Sequence, residues 1–444
     1  MPDSRISSLP AALSSLAVAF DAGQLTSDGG LVWLAQADDR LGLSAAFAAH
    51  VRDWRRGPVR HPLALLLRQR LLQIACGYED QDDADTLRHD PLLKVVCGRP
   101  PHEPSAALAS QPTLSRLENA VDRRACYRLA HALVAIYLQE RERVAGQAPT
   151  HVLLDLDSTD DPTHGEQEGS SYHGYYRQHM YHPLLIFDGH TNQLITAILR
   201  QGTVHASRGV VAILKRLVAA LRARWPHVAI ELRADSGFAI PALYAYCERE
   251  HIDYTIGLPP NARLEALAAP LVAQAKQHHQ QTGEKVRLLA EGQYAADSWP
   301  HERRVVYKAE ELEKGSNLRF VVTSRTDLDP LALYNWYVRR GEPELWIKDL
   351  KDACFADRLS CHRFWANQFR LLLHAAAYWL LDTLRRPLIQ AGVARLQLDT
   401  LRLRLIKIGG WVREQAHTLS LHLASSHPGE PLWHLLAAHF DPRE

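Results

Sequence analysis

The chain has 444 residues, 46% of them hydrophobic and 23% charged, ordinary values for a globular protein that buries a real core, and its length suggests about three lobes. Its 51 Lys and Arg against 50 Asp and Glu leave a formal charge of +1, so no global excess announces a nucleic-acid partner, and no stretch approaches the roughly 18 uncharged apolar residues of a membrane span. Six scattered cysteines without a CxxC pair argue against a zinc ribbon and fit reduced thiols, and an N-terminus without a basic segment followed by an apolar block points to the cytoplasm rather than to secretion.

Residues 1–149 read as helical. LALLLRQRLLQIAC (63–76) and the long segment 113–144 place apolar residues at helical spacing without strand alternation, the second starting near Ser110 and Thr113 beside Pro112. Between them Glu79, Asp80, Asp82, Asp83 and Asp85 form an acidic patch that lacks the ligand order of an EF-hand and reads as a surface or interdomain element. The pattern changes at residue 150. HVLLDLD (151–157) suits a strand, and after a Gly- and Tyr-rich loop PLLIFDG (183–189) and LITAILRQG (194–202) flank the turn HTNQ as a hairpin. A helix (209–225), a strand (228–237), the helix IPALYAYCEREH and a strand (252–259) follow.

Strand, strand, strand, helix, strand, helix, strand is the order of a ribonuclease-H-like core, an α/β fold with a mixed sheet and helices on its faces. Residues 150–259 supply its first part. Residues 260–328 break the rhythm with a polar helical piece (263–283) and RRVVYKAEELEKGSNLRFVVTS, a hairpin expected to turn at Lys-Gly-Ser-Asn, and so read as a β-rich insertion. Helical periodicity resumes near Pro330, with 329–375 returning to the core and 376–444 forming a helical C-terminal region.

Charge is concentrated locally. Arg52, Arg55, Arg56, Arg60, Arg68 and Arg70 crowd one stretch, and a second run holds Arg363, Arg370, Arg385, Arg386, Arg395, Arg402, Arg404 and Lys407. Either cluster could neutralise phosphates or simply solvate a helix face. Three acids stand out by placement: Asp157 closes the first core strand, Asp235 closes the fourth before Ser236-Gly237, and Glu344 lies on a helix after the insertion. Ligands of open α/β sheets gather at strand ends. Phosphodiester cleavage needs an activated oxygen nucleophile and a stabilised leaving oxygen, which two hard cations about 3.5–4 Å apart can supply, and magnesium prefers carboxylate oxygens. Spacing leaves the first ligand open, because Asp155 and Asp157 share a strand face and Asp160 and Asp161 are close.

Tyr337, Arg340, Glu344 and Lys351 reproduce without a gap the Tyr-x2-Arg-x3-Glu-x6-Lys signature of IS4-like DDE transposases. GYEDQDDADTLRHDPLL, QPTLSRLEN, LDLDSTDDPTHGEQEG, HGYYRQHMYHPLLIFDG, RADSGFA and DRLSCHRFWANQFRLLLHA resemble the IS1380 group of bacterial insertion-sequence transposases, over about residues 77–375. The resemblance implies a helical N-terminal DNA-binding region and an enzyme that cuts the terminal inverted repeats of its element and joins them to target DNA. It assigns the metal ligands to Asp157, Asp235 and Glu344, and phosphate contacts to Tyr337, Arg340 and Lys351. Lys348 joins them by spacing, since Glu344, Lys348 and Lys351 share one helix face. It further implies Mg2+, with Mn2+ as a substitute and two ions in the site, and a homodimer holding both ends. Gly341 and Pro343 interrupt the helix before Glu344 and leave Glu342 as a rival ligand. Trp299 of the insertion either stacks on an extruded base or belongs to the core. The rival readings are a nuclease without strand transfer and a decayed transposase that only binds DNA.

Overall fold

The computed structural model describes residues 18, 19, 21–416 and 418–440, so most of the N-terminal stretch expected not to be a secretion signal lies outside the described residues. The chain divides into two compact units, one of residues 1–121, 352–355 and 376–444, the other of residues 122–351 and 356–375.

The second unit is organised by one eight-stranded sheet. Its strands are β1 (His151–Ser158), β2 (Leu184–Asp188), β3 (Gln193–Ile198), β4 (Ala229–Ala234), β5 (Asp253–Leu258), β6 (Val286–Tyr294), β7 (Arg303–Leu312) and β8 (Gly315–Thr323), in the spatial order β6-β7-β8-β5-β4-β1-β2-β3. Strands β1, β4 and β5 run parallel and the rest pair antiparallel. Residues 152–156 of β1 are all buried, which is why they read as a continuous apolar run rather than an alternation. Parallel neighbours need crossovers, supplied here by helix α2 (Val210–Arg224) between β3 and β4 and α3 (Pro241–Arg249) between β4 and β5. Helix α1 (Arg123–Ala145) precedes the sheet, and its Tyr137 and Arg141 donate to the fully buried Asp188 at 2.9 and 3.0 Å.

Four expectations need correction. The long helix expected over 113–144 is two helices, Gln111–Ala120 and α1, because the Asp122 carboxylate caps Ala125 N at 2.7 Å and starts a new one. Residues 286–323 do not stand apart as an insertion, since β8 pairs with β5 from Phe320↔Leu258 to Thr323↔Thr255 and extends the same sheet. The hairpin β7–β8 turns two residues early, at Glu313-Lys314, because the freedom of glycine is needed at Gly315, where φ is +116°. The C-terminal region expected to be helical carries a hairpin, Gly410–Gln415 with Thr418–Leu423, joined by Leu25–Thr26. Helix α4 (Ala262–Thr282) precedes β6, and α5 (Pro330–Val338), α6 (Glu342–Cys354) and α7 (Phe364–Gln390) follow the sheet.

The first unit is otherwise helical, with Leu31–Leu41, Leu43–His50, Leu63–Cys76 and Gln111–Ala120 as its longer N-terminal helices. Much of the expected basic surface is interior. Arg70 and Glu118 form a fully buried pair at 2.7 Å, and Arg70 also donates to the carbonyls of Tyr78 and Glu79, holding the acidic loop. Arg385 and Arg386 both hold Asp382, Arg402 donates to Ala75 O, and Arg370 of the second unit is buried. All six cysteines are buried, and no helix among the described residues is long and apolar enough to cross a membrane.

Candidate active site

Leu156 of β1 pairs with Ala234 of β4 in the parallel ladder, so the next residues, Asp157 and Asp235, lie side by side at the carboxyl ends of adjacent strands. Each is oriented by the turn that follows it. Ser158 N donates to Asp157 Oδ1 at 2.8 Å, and Gly237 N donates to Asp235 Oδ1 at 2.8 Å across the short turn Ser236–Phe238.

Strand alternation places Asp155 with Asp157, and Glu231 and Arg233 with Asp235, on one face. There Arg233 forks onto Asp155 at 2.6 and 2.7 Å, both groups buried, and donates to the carbonyl of Trp336 at 2.9 Å. The Trp336 indole N–H donates to Glu231 at 2.7 Å. These bonds fasten the end of α5 to β4. A short turn, Arg339–Gly341, then redirects the chain into α6, whose first turn tolerates Pro343 and presents Glu344.

The electrostatics tie these pieces together. Burial, and next the charge of Asp235, push the Asp157 carboxyl up to about 7; Glu344 adds to the rise, while the Ser158 amide and Arg340 oppose it. Arg340 is held charged, against its burial, by Tyr337, Glu344, Asp157 and Asp235, and pairs with Glu344 at 3.3 Å. Tyr337 stands against β5, where a Cβ on Gly257 would come within 2.4 Å of its hydroxyl; burial first, and Asp235 as well, raise its phenol. Asp157, Asp235, Glu344, Arg340 and Tyr337 therefore share one neighbourhood.

The remaining candidates are placed differently. Lys351 is engaged by the loop after β1, donating to Asp160 O at 2.6 Å and Asp160 Oδ1 at 2.9 Å. Lys348 is exposed on α6. Glu342 pairs with Arg339 at 2.9 Å and adds to the rise of the Asp155 carboxyl. Asp161 is buried in the small sheet of residues 161–162, 171–173 and 178–181. Trp299 packs edge-on against Tyr244 and Tyr294 beneath Arg303, at 5.0 Å, a packing role.

Two neighbours were not among the residues singled out in the sequence. Tyr176 lies among the acids, its phenol pushed up to about 12 by burial and then by Asp160 and Asp157, with a smaller push from Asp235. Arg200, buried without a carboxylate, donates to Ser158 Oγ at 2.7 Å, His182 O at 2.8 Å and Ala206 O at 2.5 Å, bracing the end of β1. Its place at the end of the apolar run ITAILR is a faint cue.

The donor set suits a hard cation: the acids offer oxygen alone, and mutual repulsion raises Asp157, a cost that a bound cation offsets. Among the described residues, no three acid, His or Cys side chains are close enough to ligate one ion, Glu344 being turned to Arg340.

The sequence matches the family described as transposase DDE domain group 1 over residues 10–442. The fold is similar to a piggyBac transposase solved by cryo-electron microscopy as a synaptic complex with hairpin DNA, at 10% identity and a TM-score of 0.44 over 86% of this chain and 79% of that one. Among curated proteins none matches.

Proposed function

Because the chain belongs to the DDE transposase family and is an enzyme that cleaves and joins DNA strands with divalent metal, we propose that Asp157, Asp235 and Glu344 are its metal-holding acids. The side-by-side placement of Asp157 and Asp235, with Glu344 acting on the same carboxyl, carries this reading. Strand order β5-β4-β1-β2-β3 supports a ribonuclease-H-like core, the four-residue signature supports an IS4-like enzyme, and the longer sequence blocks around it support the IS1380 group.

Two Mg2+ ions, replaceable by Mn2+, would supply an activated oxygen nucleophile and stabilise the leaving oxygen of an in-line displacement. The chain's own residues do the positioning. The Ser158 and Gly237 amides fix the rotamers of the two strand-end acids. Arg340, already held charged, presents a planar fork suited to a phosphate, while Tyr337 beside it can donate its hydroxyl. Lys351 braces the loop after Asp157 through Asp160, and Lys348 is an exposed cation on the same helix face. The DNA substrates would be the terminal inverted repeats of the element and a target duplex, in the bacterial cytoplasm and nucleoid. Bringing two ends together requires at least a homodimer.

A labelled duplex made from the DNA flanking the protein's own coding sequence, mixed with a target plasmid and Mg2+ or Mn2+, tests this. Asp235→Asn should lose cleavage and joining while retaining duplex binding. Cleavage by that variant equal to wild type would refute the assignment.

A further inference from the structure

In the first unit, the segment between the helices Leu43–His50 and Leu63–Cys76 bends into a concavity of about 330 Å3, bounded opposite by Thr113 and Arg116 of helix Gln111–Ala120. Four guanidinium groups line it, from Arg55, Arg56, Arg60 and Arg116. Arg55 is structural: it forks onto Asp53 at 2.8 Å and donates to the His61 carbonyl at 2.6 Å, fixing the bend. Arg60 reaches back to the Ser105 carbonyl, and its own carbonyl accepts from Arg99 at 2.8 Å. Arg56 and Arg116 are exposed and form no ion pair or hydrogen bond among the described residues. Positive charge thus faces a hollow whose described lining holds no acid, and the neighbouring Asp53 carboxylate is already taken by Arg55.

At the wall of the hollow sits His61, 8% exposed, with Nδ1 lacking a hydrogen-bond partner among the described residues. A buried polar nitrogen left unsatisfied is costly, which favours a partner at that position. Burial, then Arg60, Arg99, Arg88 and Arg55, push its imidazolium down to about 4, so the ring is neutral at physiological pH. A neutral ring can donate one N–H to an anion without adding charge to a crowd of arginines.

We propose that this concavity is a binding site for a DNA backbone phosphate, engaged by Arg56, Arg60 and Arg116 over His61. The choice of DNA rests on the transposase reading. The exposed arginines stand at the rim of an open hollow, so a phosphate carried on a strand reaches them without its sugar and base entering. Contacts of this kind position a duplex without reading its sequence.

The test uses full-length protein and a fluorescein-labelled duplex of random sequence, with affinity followed by anisotropy across a salt series. Each phosphate neutralised contributes about 0.9 to the slope of log affinity against log salt. Arg56→Gln/Arg116→Gln changes two side chains that hold nothing in the fold, and should lower the slope by about 1–2. The Arg56→Lys/Arg116→Lys variant should keep most of it. An unchanged slope in the Gln variant, with wild-type circular dichroism, overturns the site. If wild type joins DNA and the Gln variant keeps the full slope, only this site fails. If the slope falls as expected but wild type never joins DNA under the conditions above, this site stands and the transposase reading fails.

Discussion

Asp155 and Asp157 project from the same face of one strand, yet removing their charges should have opposite consequences. Asp155→Asn strips the counter-ion from Arg233, which is fully buried and also holds the Trp336 carbonyl. Breaking one side of a buried pair leaves an uncompensated charge and costs about 3–5 kcal/mol, enough to lower the melting temperature by roughly 10 °C. Asp157→Asn removes a carboxyl that burial and Asp235 have raised to about 7. A carboxyl whose pKa is higher in the fold than in the unfolded chain binds more protons when folded. Wild type therefore loses stability as pH climbs from about 4 to about 7, and the loss persists above that. The Asn variant has no such term and should be the more stable protein at pH 8, on the order of 2 kcal/mol, with little advantage at pH 5. Thermal melts of wild type and both variants in EDTA at pH 5 and 8, paired with the joining assay, read this out. Asp155→Asn melting like wild type, or Asp157→Asn gaining no advantage between pH 5 and 8, would refute the division of roles.

Other expectations concern the surroundings of that pair. Glu344→Gln should abolish joining, whereas Glu342→Gln, which loses only a partly exposed pair with Arg339, should keep it within about tenfold; the joining assay separates them. Mn2+ affinity, measured by calorimetry, should weaken about tenfold per pH unit below about 7, because a ligating carboxyl must first release its proton. Arg200→Met should cost roughly 2–3 kcal/mol by stranding the acceptors it serves, with Arg200→Lys recovering part of both the melting temperature and kcat. Gly257→Ala would drive a methyl to 2.4 Å from the Tyr337 hydroxyl, and adding Tyr337→Phe should restore part of the lost melting temperature.

The second unit was legible in the sequence to the extent that its elements are local. Buried strands and amphipathic crossover helices announce themselves within about ten residues, and β1 to β5 with α2 and α3 stand where the periodicity puts them. What failed were judgements about partners. Nothing within residues 286–323 says that β8 will pair with β5 rather than curl into a lobe, because an antiparallel edge is satisfied by backbone groups that every residue carries. The arginine runs misled for a related reason. Counting charge along the chain cannot tell Arg56, exposed and unpaired among the described residues, from Arg70, buried against Glu118 some 48 positions away.

The same limit explains the candidate site. Tyr337, Arg340, Glu344 and Lys351 lie within one turn-and-helix segment, so their spacing survives as a readable string. The division between Asp155 and Asp157 does not, because strand periodicity makes them equivalent. Arg233 makes the difference, 78 positions downstream and brought opposite Asp155 by the parallel register Asp155↔Arg233. That register also sets Asp235 beside Asp157, where no basic residue of β4 can follow, since Asp235 begins the turn. One step along that face of the ladder thus separates a carboxylate paired with Arg233 from one left beside another acid.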